Sequence, residues 1–125
     1  MAAGQGMRMR SRLPKVAHPL AGRPIVRHVI ESARAAGVES CIVVVSGGAD
    51  ADAVRAAALL GESATGDGVR FAVQPEPLGT GNAVDCAREA AEDADYVLIL
   101  NGDVPLVMPA TLRRLMAALT EGRST

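Results

Sequence analysis

Short apolar runs alternate with amphipathic stretches along this chain. The apolar runs are CIVVV (41–45), VRFAV (69–73) and YVLIL (96–100). Runs of this length, rich in β-branched residues and followed by turn-forming residues, are typical of strands buried in a parallel sheet. The pattern therefore predicts three strands, of which the first and third are continuously apolar.

Helical periodicity fills the segments around these runs. Over residues 23–36, apolar side chains recur at helical spacing, Pro24 suits the first turn and Gly37 suits a C-terminal cap. Three more helices are predicted: one capped by Asp50 or Asp52 and reaching about Leu60, one over residues 81–93, and one that begins at Pro109 or Thr111.

Alternating strands and helices predict an α/β layered domain with a mostly parallel sheet. A length of 125 residues suits one domain, 1–125, and is enough to bury a core. Hydrophobic residues make up 49% of the chain but aromatic residues only 2%, so the core has to be built from Ala, Val, Leu and Ile. The order of elements leads us to expect a domain that is incomplete at both ends.

The sequence shows no sign of a membrane or export segment. No apolar run approaches the roughly 20 residues of a membrane span, and no signal-peptide core follows the N-terminus. Cys41 and Cys86 lie far apart without metal-binding spacing, as expected of inert thiols in a reducing compartment. These features favour a cytoplasmic protein with no membrane partner.

Charge is distributed unevenly although the formal net charge is only −1. Residues 1–30 carry six basic side chains and no acid, while all fourteen acids follow. A short basic segment on a near-neutral domain indicates a local anionic ligand rather than nucleic acid. A mitochondrial transit peptide is the alternative, but its four prolines and glycines would break a presequence helix: Pro14, Pro19, Gly22 and Pro24.

Three loops carry the candidate chemistry: residues 2–15, 74–81 and 101–105. In open α/β sheets, ligands bind beyond the carboxyl ends of the strands. All three loops are expected at that edge, so together they predict one shared site.

The first loop, AAGQGMRMRSRLPK, combines small residues with basic ones. At Ala2, Ala3 and Gly4, the backbone N–H groups can approach a phosphate chain closely. Arg8 and Lys15, the only lysine of the chain, can supply positive charge to phosphates. A solvated basic tail is the alternative, and the loop lacks the full signature of NAD-binding or P-loop proteins.

The second loop, QPEPLGTGNA, precedes a predicted helix. Gln74 can read a nucleobase edge through its paired donor and acceptor. Gly79 and Thr80 expose backbone N–H groups that can bind anions or base carbonyls. The alternative is an ordinary loop in which Thr80 caps the helix.

In the third loop, Asp103 follows directly after an apolar run. A carboxylate in this position can hold Mg²⁺ that bridges nucleotide phosphates. A hairpin turning at Asn101 and Gly102 is the structural alternative, which Pro105 weakens. Of the two histidines, His28 lies within the first predicted helix and is expected to be structural, whereas the role of His18 stays open.

Three segments in the same order resemble a known enzyme family. The opening residues are similar to the signature L-A-A-G-x-G-T-R-M followed by L-P-K of sugar-nucleotide pyrophosphorylases. LPKVAHPLAGRP, QPEPLGTGNAV and LILNGDVPLV resemble segments of the bacterial N-acetylglucosamine-1-phosphate uridylyltransferases, usually the N-terminal half of a bifunctional enzyme. The resemblance covers residues 1–107.

The resemblance implies a Rossmann-like, GT-A-like nucleotidyltransferase fold, a three-layer sandwich that lacks its first strand and C-terminal half. It implies transfer of uridylyl from UTP to N-acetylglucosamine-1-phosphate, with Mg²⁺ as cofactor. By position, it assigns catalytic roles to Arg8 and Lys15, a metal-ligand role to Asp103, and substrate binding to Ala2, Ala3, Gly4, Gln74, Gly79, Thr80 and Gly102.

The chain also departs from that family. Met7 replaces a threonine, Pro77 a glutamine, Asn82 a histidine and Asn101 a tyrosine. In the fold that the resemblance implies, the lacking first strand would lie between 41–45 and 96–100. Unpaired backbone groups there predict marginal stability and self-association. We therefore expect weak UTP binding with little turnover. Transfer of another nucleotide (GTP, CTP or dTTP) and a non-catalytic nucleotide-binding module are the alternative functions.

Overall fold

The computed structural model describes residues 1–2, 12–62 and 68–122. Its strands and helices, in chain order, are β1 (Pro19–Leu20), β2 (Arg23–Pro24), α1 (Ile25–Ala35), β3 (Cys41–Ser46), α2 (Asp50–Leu59), β4 (Val69–Gln74), α3 (Thr80–Cys86) and α4 (Pro109–Gly122). Short 3₁₀ turns lie at Lys15–Ala17 and Glu89–Ala91. No helix in these described ranges is long and apolar enough to cross a membrane.

Strands β3 and β4 form a parallel pair in which Cys41 lies opposite Val69 and Ser46 opposite Gln74. Backbone groups of alternate β3 residues point to β4, from Cys41 N, which donates to Gly68 O at 2.7 Å, to Gly47 N, which donates to Gln74 O at 2.9 Å. The residues in between turn their backbone groups to the opposite edge of β3.

Met1 and Ala2 occupy that opposite edge. Ala2 N donates to Val44 O at 3.0 Å, while the Met1 ammonium donates to Leu100 O at 2.7 Å and Met1 O accepts from Gly102 N at 2.8 Å. Such alternation, with one residue bonded to each side, is the pattern of a parallel strand between two neighbours. Met1 and Ala2 therefore connect β3 on one side to residues 100–102 on the other through backbone hydrogen bonds.

Two apolar clusters place helices on both faces of the sheet. On one face, Ile30 of α1 and Val54 of α2 belong to the same buried cluster as Val45 of β3, which is fully buried. On the other face, Ala83 of α3 packs against Val44 and Ala72. The layers are helix, sheet and helix, which confirms the predicted α/β fold class.

Helix α1 shows how local sequence fixes an element. Its end has the Schellman arrangement, in which Val38 N donates to Ala33 O and Gly37 N to Arg34 O. Gly37 has φ +103°, a conformation that favours glycine, so the predicted C-terminal cap is confirmed.

The structure corrects the predicted start of α1 and adds a small hairpin. Arg23 and Pro24 form β2, which pairs with β1 through a turn at Ala21 (φ +50°) and Gly22 (φ +81°), so the helix begins only at Ile25. The Nε2 atom of His28 lies 2.7 Å from Leu20 O and ties this hairpin to α1, consistent with a structural role.

Other predicted boundaries are also corrected. Neither Asp50 nor Asp52 caps α2, whose N-cap is Ala49; both lie in the first turn instead, where acidic charge favours the helix dipole. Gly79, not Thr80, is the N-cap of α3. The predicted helix over 81–93 is shorter, because α3 ends at Cys86.

The largest correction concerns residues 96–100, which were expected to form a strand. They do not form a strand, and Val97 and Ile99 are more than half exposed. The backbone bonds of this segment to Met1 involve only its end at Leu100 and the following Gly102. Residues 101–107 are not paired with it either, so the hairpin alternative is wrong within the described residues.

Candidate functional site

The carboxyl edge of the sheet collects the described ends of several segments. Gln74 ends β4, Ser46 lies opposite it on β3, and Ala2 follows at the next position through its bond to Val44. Gly102 lies on the side of Met1 that faces away from β3, and its N–H donates to Met1 O. With about 4.8 Å between neighbouring strands, Gln74 and Gly102 are roughly 14 Å apart along this edge.

Gly102 allows the closest backbone approach at this edge. A Cβ atom added to Gly102 would lie 2.7 Å from Met1 O, the carbonyl to which its own N–H donates. Only glycine fits there without displacement. This contact fixes the position of the neighbouring Asp103.

Lys15 and Asp103 form an ion pair at this edge. Lys15 Nζ donates to Asp103 Oδ2 at 2.9 Å, and both side chains are a little over 40% exposed. The hydrogen bond from Lys15 holds the pKa of the Asp103 carboxyl below its ordinary value of 3.8, against the opposing effect of partial burial. The Lys15 ammonium therefore binds the same carboxylate that is predicted to hold a metal ion.

The Met1 ammonium adds a second charge near Asp103. Burial lowers the pKa of this ammonium below its ordinary value of 8.0, while the negative charge of Asp103 opposes that shift. Two amines and one carboxylate thus set the local electrostatics at Gly102.

Gln74 is the buried polar residue at the other end of the edge, with only 5% of its surface exposed. Its Nε2 atom donates to Gly79 O at 3.1 Å and to Asn82 Oδ1 at 2.9 Å. Gly79 has φ +94° and ψ 178°, a conformation essentially restricted to glycine. The adjoining Thr80 is exposed at the start of α3.

The structure brings some predicted site residues together and leaves others undescribed. Lys15 and Asp103 are in contact, Gln74 and Gly79 are in contact, and Ala2 is buried between β3 and residues 100–102. The predicted residues Ala3, Gly4 and Arg8 lie outside the described residues. Their roles stay predictions.

Sequence reasoning missed Asn82 and Met1 as parts of this edge. The substitution of Asn82 for the family's histidine was the available signal, because it lies eight residues after Gln74 on the following helix. Nothing in the sequence indicated that the N-terminal ammonium donates to Leu100 O.

Asp103 fits a Mg²⁺ site in which substrate phosphates and water supply most of the ligands. No group of three or more metal-binding side chains exists in the described part of the chain. Mg²⁺ typically uses one or two protein carboxylates together with water and substrate phosphates. Asp103, partly exposed and attracting a cation, meets this requirement as one such ligand.

A second charged cluster lies between α1 and the end of α2. Glu62, 9% exposed in its side chain, accepts from Arg27 and, at 2.5 Å, from Arg34. These bonds, that from Arg34 foremost, hold the pKa of Glu62 below its ordinary value of 4.5. Arg27 also donates to Glu31 at 3.1 Å, so each guanidinium is paired with a carboxylate and the cluster links helices rather than offering an anion site.

Layered α/β topology and a polar carboxyl edge define the class of protein, a Rossmann-like α/β domain. The family description that matches is the MobA-like NTP transferase domain, over residues 1–125. The chain belongs to this family.

Curated relatives specify the resemblance further. The chain is 50% identical over 123 residues to the bifunctional protein GlmU of Burkholderia thailandensis, and 49% identical to the GlmU proteins of Burkholderia mallei and Burkholderia pseudomallei. Each match covers 98% of this chain but 25% of the relative. The chain thus spans about a quarter of the length of these relatives.

Proposed function

We propose that residues 1–125 are the nucleotide-binding part of a nucleotidyltransferase that transfers uridylyl from UTP to N-acetylglucosamine-1-phosphate. The products would be UDP-N-acetylglucosamine and pyrophosphate. The observation that carries this proposal is the Lys15–Asp103 pair at the carboxyl edge. It places an ammonium suited to binding phosphate 2.9 Å from a carboxylate suited to binding Mg²⁺. The identity to bifunctional GlmU proteins supports the choice of substrates.

The reaction needs positioning and charge rather than a protein nucleophile. A phosphate oxygen of the sugar-1-phosphate attacks the α-phosphorus of UTP, a P–O bond forms, and the bond to the β-phosphate bridging oxygen breaks. Pyrophosphate leaves with the electron pair of that bond. Lys15 and Arg8 stabilise the negative charge that accumulates on the phosphates.

Other residues of the edge hold the nucleotide in the proposed complex. The backbone at Ala3 and Gly4 would follow the triphosphate, continuing from Ala2, whose own N–H donates to Val44 O. Gly102 would let its segment approach Met1 and Ala2 closely beside Asp103. Gln74, Gly79 and Thr80 would surround the uracil. The separation of about 14 Å between the two ends of the edge, three strand spacings, suits an extended nucleotide with its base at one end and its phosphates at the other.

Asp103 would hold Mg²⁺ in the loaded protein, and the ion would neutralise phosphate charge there. Lys15 must leave Asp103 in that state, because the ammonium and the metal compete for the same oxygen. Its flexible stem lets Lys15 turn from the carboxylate to a phosphate without backbone movement.

A nucleotide panel tests the proposal. UTP, GTP, CTP and dTTP are titrated into the ¹⁵N-labelled chain with and without Mg²⁺, and amide shifts give dissociation constants. We expect UTP to bind most tightly, weakly overall, and more tightly with Mg²⁺. A preference for GTP or CTP would reassign the nucleotide, and no response to any of them would favour a non-catalytic domain.

Matched variants locate the binding site. Lys15→Met should weaken UTP binding about tenfold, the usual scale of one phosphate contact of about 1.4 kcal/mol. Arg70→Met removes a positive charge from the exposed face of β4 and should leave UTP binding unchanged. Asp103→Asn should abolish the gain from Mg²⁺, whereas Asp95→Asn should keep it.

Turnover is expected to be very low for the 125-residue chain alone. The resemblance implies that the C-terminal half of the domain lies outside these 125 residues, and each match covers 25% of the relative. Rapid formation of UDP-N-acetylglucosamine by the purified chain, followed as pyrophosphate release, would contradict this expectation.

A further inference from the structure

The amide of Gln74 is held from two sides. Its nitrogen Nε2 donates to the Gly79 carbonyl at 3.1 Å and to Asn82 Oδ1 at 2.9 Å. An amide nitrogen carries two protons, so these two bonds use its full donor capacity.

The Gly79 carbonyl accepts one of the two amide protons. A backbone carbonyl only accepts, so the nitrogen of Gln74, and not its oxygen, has to face it. The carbonyl itself is directed by the glycine-specific backbone of Gly79, with φ +94° and ψ 178°. Asn82 must then turn its own oxygen to the second proton of Gln74.

One side-chain atom of Gln74 remains for a ligand. Among the described residues, no group donates a hydrogen bond to Oε1 of Gln74. Oε1 is also accessible, because the fully buried side-chain polar atom that lacks a partner in this part of the chain is Nε of Arg55 and not Oε1. Gln74 can therefore accept a hydrogen bond from a ligand but cannot donate one.

We propose that Asn82 is a positioning residue that sets base selectivity through Gln74. The proposal rests on the proposed function, in which Gln74 faces the nucleobase. Uracil carries a ring N3–H that donates to Oε1, whereas cytosine presents an unprotonated N3 that would meet the oxygen with a second lone pair. With Asn82 in place, Gln74 accepts UTP and rejects CTP.

Two variants of the same size separate the acceptor from the bulk of Asn82. Asn82→Leu removes the oxygen that accepts the second amide proton of Gln74, so that proton becomes available for donation to a ligand. Asn82→Asp keeps an accepting oxygen and should hold the amide as the native residue does. The Gln74 side-chain NH₂ resonances report this directly: one proton should lose its hydrogen-bonded shift and exchange protection in Asn82→Leu only.

Binding then shows whether the orientation matters. We expect the native chain with Mg²⁺ to prefer UTP to CTP about tenfold, in line with one hydrogen bond gained and one repulsion avoided. Asn82→Leu should bring that ratio to within about threefold of unity, mainly by improving CTP binding, and Asn82→Asp should restore it. A merely structural role would weaken both nucleotides alike and leave the ratio unchanged, which would overturn the proposal.

The two readouts keep this proposal distinct from the proposed function. Preferential binding of UTP together with an unchanged ratio in Asn82→Leu would leave the function standing and overturn the role of Asn82. Failure of every nucleotide to bind, with the Gln74 NH₂ still protected, would overturn the function and with it the base selectivity, while the amide geometry stands. An unprotected NH₂ in the native chain would overturn the positioning role itself.

Discussion

Two apolar runs of nearly the same character have opposite outcomes in this molecule. CIVVV becomes the buried strand β3, whereas YVLIL remains irregular, with Val97 57% and Ile99 52% exposed. The difference lies in their neighbours. β3 has β4 along its whole length on one side and helices α1 and α2 over one face. Among the described residues, the bond from the Met1 ammonium to residues 96–100 lies at their end, Leu100.

The comparison shows that a strand is a property of a pair and not of a run. An apolar run has a high preference for extended backbone, but the preference is realised as a ladder only where a neighbour supplies donors and acceptors. The site draws on both regions. Gln74 belongs to the paired strands β3 and β4. The position of Asp103 instead depends on the hydrogen bond between Gly102 and Met1.

Removing the same methyl groups from both runs gives the largest expected contrast. Val45→Ala should lower the free energy of unfolding by about 2 kcal/mol, because Val45 is fully buried between β3 and the helices. Val97→Ala should change it by less than about 0.5 kcal/mol. Urea denaturation followed by circular dichroism measures both, and equal losses would show that 96–100 is packed in solution.

The bridge between the two regions is tested at Gly102. Gly102→Ala should lower the free energy of unfolding by about 1–2 kcal/mol, since the new Cβ would meet Met1 O at 2.7 Å. Gly48→Ala is the control, as its Cβ would meet nothing within 4 Å. A neutral effect of Gly102→Ala on the melting temperature would mean that the bridge does not form.

Acid should weaken the well-built region through Glu62. The pKa of Glu62 is lowered in the folded chain, so its stabilising effect is present above its ordinary pKa of 4.5 and is lost as pH falls below it. Glu62→Gln should therefore be less stable than the native chain at pH 7 and show a flatter decline below pH 4.5. Parallel stability curves for the two proteins would contradict this role.

Self-association should follow from the exposed run, and its effect on stability is expected to be the smallest. Open backbone edges and exposed apolar side chains favour pairing between chains. The double substitution Val97→Lys with Ile99→Lys should shift the chain towards monomer in sedimentation equilibrium, with little change in melting temperature. Association that persists in this variant would place the contact elsewhere.

The sequence alone was sufficient for the elements whose signals are local. The helical period and Gly37 predicted α1 to within two residues at its start, and β3 and β4 were placed within one residue of their ends. Patterns in the Gln74 and Asp103 loops were enough to expect a nucleotide-binding edge. These features depend on side-chain size, periodicity and backbone preference, which neighbouring residues in the chain determine.

Only the tertiary structure decided the rest. That YVLIL does not form a strand, that Lys15 pairs with Asp103 across 88 positions of the chain, and that Asn82 accepts the second amide proton of Gln74 all depend on which groups meet in the folded chain. Hydrogen bonds and ion pairs are short-ranged and directional, so their partners follow from the packed arrangement of elements and not from the order of residues.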